Sequence, residues 1–150
     1  MARLGATLVV RDIGASAKYY VEHFGAELPH EEFQPDTYQV LDFSSGSIRL
    51  VREDLANNVV LSDKNINNGV FISLVVDDID ETVYHLTSEA DCTIIQRIDT
   101  NGRSATKNAL IEDFFGFTWQ LIQASEAEIF SKRYKAAEME LKKKLRGSRI

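Results

Sequence analysis

Two short segments of this 150-residue chain, Leu8-Val9-Val10-Arg11-Asp12-Ile13 and Leu74-Val75-Val76-Asp77-Asp78-Ile79, agree at five of six positions when residue 8 is set on residue 74. An internal repeat of this length restricts the fold to a duplicated supersecondary unit, because each copy must bury its apolar face in the same way. The β-branched runs predict strands, the following aspartates suit helix N-caps, and Ala15 to Phe24 and Glu81 to Glu89 carry helical apolar spacing. Gly25 stops the first helix, and Asp91-Cys92 leads into a β-rich stretch after the second. Three strands are then expected in each half. They are Glu27 to Phe33, Thr37 to Phe43 and Ser47 to Arg52, then Thr93 to Ile98, Ala105 to Ile111 and Phe117 to Gln123. Ser44-Ser45-Gly46 makes a hairpin turn between the second and third strands of the first half, and Phe115-Gly116 falls in the matching turn of the second.

The chain therefore reads as βαββββαβββ in two modules within a single α+β domain, about 4–56 and about 69–123, joined by an Asn-rich linker over about 57–68. A terminal helix over about 125–146 follows. Ser125-Glu126-Ala127-Glu128 forms its capping box, and Phe130, Tyr134, Ala137, Leu141 and Leu145 make one apolar stripe. A length of 150 residues supports one core without a disulfide or structural metal, and lone Cys92 suits a reducing, cytoplasmic setting. The first ten residues lack the length and cleavage site of a signal peptide, and no apolar run approaches the ~20 residues of a membrane helix. Residues 1–125 hold 9 Lys and Arg against 19 Asp and Glu, whereas residues 126–150 hold 8 against 4. An acidic body repels phosphate backbones, so nucleic acid is not an expected partner despite the basic Lys142-Lys143-Lys144-Leu145-Arg146 tail, which reads as a solvated helix end.

Three further segments carry a family resemblance. They are Leu8-Val9-Val10-Arg11-Asp12 with Tyr19-Tyr20 and Phe24-Gly25-Ala26, then Val75-Val76-Asp77-Asp78-Ile79-Asp80, then Asp113-Phe114-Phe115-Gly116-Phe117-Thr118-Trp119-Gln120-Leu121. Together they resemble the vicinal-oxygen-chelate superfamily of glyoxalases, bleomycin-resistance proteins and dioxygenases, over residues 4–123. The Trp-Gln ending is similar to the subgroup often labelled PhnB-like. Phe114 departs from the family, which usually has proline there. The resemblance implies a curved mixed sheet around a cavity, with the helices outside. Period-2 alternation then points Gly5, Thr7, Val9, Arg49, Phe71, Ser73, Val75 and Gln120 into that cavity, and Leu8, Val10, Ile48, Leu50, Trp119 and Leu121 under the helices.

Metal-dependent relatives hold a divalent ion with His, Glu or Gln at inward positions that correspond here to Gly5, Arg49, Phe71 and Gln120. None is His or carboxylate, and neighbouring Leu4, Ala6, Val70 and Ile72 are apolar. No metal or other cofactor is therefore expected. His23, His30, His85 and Cys92 read as solvated or packed groups outside the cavity, and Glu31-Glu32, Asp77-Asp78 and Glu112-Asp113 as caps and turns. Arg49 has two readings: contact with a carboxylate or phosphate ligand, or an internal ion pair with Asp42. Phe71 offers either a stacking wall or core filling. Trp119 belongs to the core. Lys107 and Arg103 lie where related binding proteins carry basic residues.

The expected ligand-binding set is thus Thr7, Arg49, Phe71, Ser73, Lys107 and Gln120, taking a small organic molecule with polar or anionic character by sequestration rather than catalysis. Two other classes stay open. One is a lyase or dioxygenase using non-standard groups such as Asp42, Gln120 and Glu112; the other is a dimeric scaffold whose terminal helix and basic tail recruit a partner. Relatives commonly pair their chains, which implies a C2 homodimer.

Overall fold

The computed structural model describes residues 5–29, 38–44, 46–53, 71–99 and 106–147. The expected linker and most of the Asp99 to Thr106 loop, including Arg103, lie outside these residues, as does His30. In the first module β1 (Ala6–Val10) leads into α1 (Ile13–His23), then β2 (Tyr38–Phe43) and β3 (Gly46–Arg52). The second repeats the order with β4 (Ile72–Val76), α2 (Ile79–Glu89), β5 (Thr93–Asp99), β6 (Asn108–Glu112) and β7 (Thr118–Gln123). Helix α3 (Glu126–Gly147) follows. None of the described helices is long and apolar enough to cross a membrane.

The repeat persists in detail. Asp12 and Asp78 both cap a helix, accepting from the Ala15 amide at 2.9 Å and the Glu81 amide at 3.1 Å. Ser16 and Thr82 each return a hydroxyl to the cap residue's carbonyl at 2.7 Å. At the helix ends, the amides of Phe24 and Ala26 both donate to the Tyr20 carbonyl, and those of Ala90 and Cys92 to the Leu86 carbonyl. Each stop needs a left-handed residue between its two donors. The first copy uses Gly25 at φ +73°, and the second uses Asp91 at φ +53°.

Two mixed sheets result, in orders β1-β3-β2 and β4-β7-β6-β5. β1 runs parallel to β3 and β4 to β7, while β2 with β3 and β6 with both β5 and β7 are antiparallel. Of the expected strand Glu27 to Phe33, residues 30–33 lie outside the described residues, and Glu27 forms an antiparallel bridge with Asp42. β5, its counterpart, is a full edge strand with register shifts after Ile94 and Gln96.

One core serves both modules. Leu8, Val10, Ile13, Tyr20, Phe24, Leu41 and Leu50 pack with Ile79, Leu86, Ile111, Trp119 and Leu121 in a single buried cluster. Trp119 lies at its centre, its ring centroid 4.6 Å from that of Phe24 and 5.7 Å from that of Tyr20.

Candidate functional site

Alternation along the strands separates a core face from an open face, as the repeat predicts. On β1 and β3, Leu8, Val10, Ile48 and Leu50 are buried, whereas Thr7 and Arg49 are exposed. Thr7 stands beside Arg49 in the parallel pairing, and Val40 stands beside Arg49 on the other side. The second sheet repeats this row, with Ser73 beside Gln120 and Leu110 completing it. Facing partners in a ladder present their side chains to one side of the sheet, so each row sets a polar pair beside an apolar residue.

Within the second row, the Ser73 hydroxyl donates to Gln120 Oε1 at 3.0 Å. In the first, the Arg49 guanidinium lies 5.5 Å from the centroid of the Tyr38 ring. A flat, weakly hydrated cation resting on a ring in this way is attracted by the ring quadrupole and keeps its N–H edge available. Among the described residues no ion pair joins Arg49 to Asp42, which corrects that reading of the arginine. Asp42 stands opposite Ser47, and its backbone exchanges bonds of 2.8 Å with Glu27. Tyr38 belongs to no sequence motif; only the strand period across the β2–β3 hairpin puts it on the same face as Arg49. Phe71, immediately before β4, is 44% exposed and therefore available as an aromatic wall. Lys107 is drawn aside, its Nζ 3.3 Å from Asp80 in the first turn of α2. Thr7 and Arg49 belong to one sheet and Ser73 and Gln120 to the other, with Lys107 immediately before β6. The alternative acid–base set is divided the same way, with Asp42 in the first sheet and Glu112 and Gln120 in the second.

A second polar cluster holds the modules together. Buried Asp113 accepts from Tyr20 Oη at 2.6 Å, Trp119 Nε1 at 2.8 Å, and the amides of Phe115 and Phe117 at 2.9 and 3.0 Å. Burial raises the Asp113 carboxyl above the ordinary carboxylate range, opposed by these donors. One oxygen builds the turn that the sequence predicts, and the other reaches α1, which local sequence does not reveal. Gly116, at φ +92°, completes that turn. Next to it, the Tyr19 hydroxyl donates to the Ala90 carbonyl at 2.7 Å and receives the Phe114 amide at 3.1 Å. The amide hydrogen that a proline would lack is thereby satisfied. Cys92 is buried and lies 3.3 Å from the same hydroxyl. Desolvation pushes the thiol up to about 11 and both tyrosine hydroxyls above their ordinary value. His23 and His85, in α1 and α2, lie 3.2 Å apart through Nδ1 and Nε2.

A sequence model of the glyoxalase/bleomycin resistance protein/dioxygenase superfamily matches residues 3–121. The chain belongs to that superfamily. No curated protein sequence matches it. Among solved structures, the hypothetical protein SA1046 of S. aureus is similar at a TM-score of 0.65 and 20% identity, covering 83% of this chain and 95% of that one. A family enzyme of Burkholderia phytofirmans PsJN is similar at 0.65 and 17%, covering 81% and 97%. Lactoylglutathione lyase of Agrobacterium tumefaciens is similar at 0.59 and 14%, covering 82% and 93%. These likenesses establish the fold.

The superfamily implies a divalent ion in some members, so the donor set at its positions decides whether this chain could hold one there. Gly5 has no side chain, Phe71 has no ligand atom, Arg49 is a cation, and Gln120 Oε1 already accepts from Ser73. A hard or borderline divalent ion wants carboxylate, imidazole or thiolate donors. These residues do not fit it. Elsewhere among the described residues, no three His, Cys, Asp or Glu side chains gather as a metal-binding group.

Proposed function

We propose that this protein binds a small organic molecule on the open sheet faces, with Arg49 meeting an anionic or planar acceptor group and Phe71 and Tyr38 flanking its apolar part. Arg49 carries the reading. Arg49 is exposed between Thr7 and Val40, its guanidinium rests on Tyr38, and it makes no ion pair with Asp42. Thr7, Ser73 and Gln120 supply hydroxyl and amide groups that bond a ligand without committing to acid–base chemistry. A non-catalytic, sequestering role follows from the same residues, because none of them is a nucleophile paired with a base or a ligand set for a metal. Lys107 contributes only if a ligand displaces it from Asp80.

The test is a backbone-amide NMR titration with benzoate and benzamide, which share an aromatic ring and differ in charge. Benzoate is expected to shift resonances of β1, β3 and β4, and Arg49→Ala to weaken it by about tenfold, the value of a charge-assisted contact, while leaving benzamide nearly unchanged. Equal loss for both probes would remove the charge argument. Elemental mass spectrometry after loading with nickel, zinc, manganese and iron(II) addresses the sequestration reading. One retained ion per chain, lost on changing Gln120 or Asp42, would overturn that reading in favour of a metal-dependent lyase or dioxygenase.

A further inference from the structure

Helix α3 spans 22 residues, and none of them is buried. Phe130, Tyr134 and Leu141 are 70%, 62% and 58% exposed, and the rings of Phe130 and Tyr134 stack along the helix at 6.5 Å. The body reaches the helix near its start, through Lys132 and Asp77 at 3.4 Å. Amphipathic helices owe most of their stability to tertiary packing of the apolar face, and here Phe130, Tyr134 and Leu141 stay mostly exposed. Phe130, Tyr134, Ala137 and Leu141 follow one another at spacings of four, three and four, a heptad-like seam along one side of the helix with Leu145 one turn beyond it.

We infer that α3 is the dimerisation element of this protein, pairing antiparallel with α3 of a second copy. Charge chooses both the partner and its direction. The helix begins with Glu126 and Glu128 and ends with Lys142, Lys143, Lys144 and Arg146. Antiparallel pairing sets the acidic start of each copy against the basic end of the other, whereas parallel pairing crowds both basic ends together and puts Lys144 against its own copy in the seam. Antiparallel register also matches sizes. Phe130 meets the partner's Leu141, and Tyr134 meets the partner's Ala137, so large residues fill the space left by smaller ones. On the flank, Arg133 meets the partner's Glu140. A two-fold axis repeats every one of these contacts, as an isologous interface requires. Phe and Tyr bury roughly 150–250 Å² each when covered. With Phe130 and Tyr134 70% and 62% exposed, the four rings of two copies supply roughly 400–650 Å², and Leu141 and the charged flanks add to this toward the ~1,000 Å² of a specific interface.

The experiment is light scattering and sedimentation velocity on the full chain at micromolar concentration, with anionic vesicles as a separate arm. The expected mass is twice the 16.9 kDa of the chain. Leu141→Asp is expected to give a monomer whose body melts as before, because Leu141 touches no core. Arg133→Glu is expected to weaken the dimer by about tenfold, since two symmetric pairs turn repulsive. The double variant Arg133→Glu with Glu140→Arg is expected to restore it, which a merely misfolded helix would not do. A monomeric wild type, a dimer indifferent to Leu141→Asp, or a charge swap that fails to restore association would each overturn the inference. So would a monomer that sediments with the vesicles, because a lipid surface would then be what covers the stripe.

Discussion

Tyr20 Oη donates to Asp113 Oδ2 across 2.6 Å, joining α1 of the first module to the turn before β7 of the second. The bond is buried and charge-assisted, and it lies beside the ring of Trp119, which donates to the same oxygen. Tyr20→Phe is expected to cost about 1.5–3 kcal/mol, measured as a lower urea midpoint. Asp113→Asn should cost at least as much, because an amide nitrogen would confront one of four donors. A double-mutant cycle with Tyr20→Phe tests the coupling: additive losses would show that the two groups act independently.

Tyr19 serves two backbone groups at once, the Ala90 carbonyl and the Phe114 amide. Tyr19→Phe leaves both short of a partner and is expected to cost about 1–3 kcal/mol. In a Phe114→Pro background one of those groups no longer exists, so the same change should cost measurably less. Equal losses in the two backgrounds would mean that the Phe114 amide gains nothing from the tyrosine.

The two helix stops differ at one position of the repeat, Gly25 against Asp91, both left-handed. Asp91→Gly is expected to raise stability by about 0.5–1 kcal/mol, since the left-handed region costs a side chain that glycine lacks. Gly25→Ala should lower stability by about 1–2 kcal/mol for the same reason. Thermal melts would read both, and a neutral Asp91→Gly would show that the aspartate side chain recovers its own strain.

Cys92 gives the chain an alkaline weakness. Its thiol ionises near 9.0 when unfolded but at about 11 in the fold, where burial dominates. A raised value means that the folded state keeps a proton which the unfolded state releases, so stability is intact below 9.0 and falls as pH climbs toward about 11. Tyr19 and Tyr20, raised above 10.0, extend the loss further up. Cys92→Ala is expected to flatten the first part of that decline in urea titrations at stepped pH. A decline identical to wild type would assign it to the tyrosines alone.

Element order, the duplicated caps and helix stops, and the division of β1, β3, β4 and β7 into core and open faces were legible in the sequence. Each depends on contacts a few residues apart or on strand period, and the repeat stated each twice. Boundaries moved by a few residues where the caps decided them: α2 begins at Ile79, directly after Asp78, rather than at Glu81. Only the tertiary structure settled which long-range partner each polar group takes. Arg49 turned to Tyr38 instead of Asp42, Lys107 to Asp80, and Asp113 to Tyr20 across 93 residues of chain. Pattern specifies which face a side chain occupies, because that is fixed by backbone geometry. The choice among acceptors on that face depends on packing and desolvation, which no local segment of the chain contains.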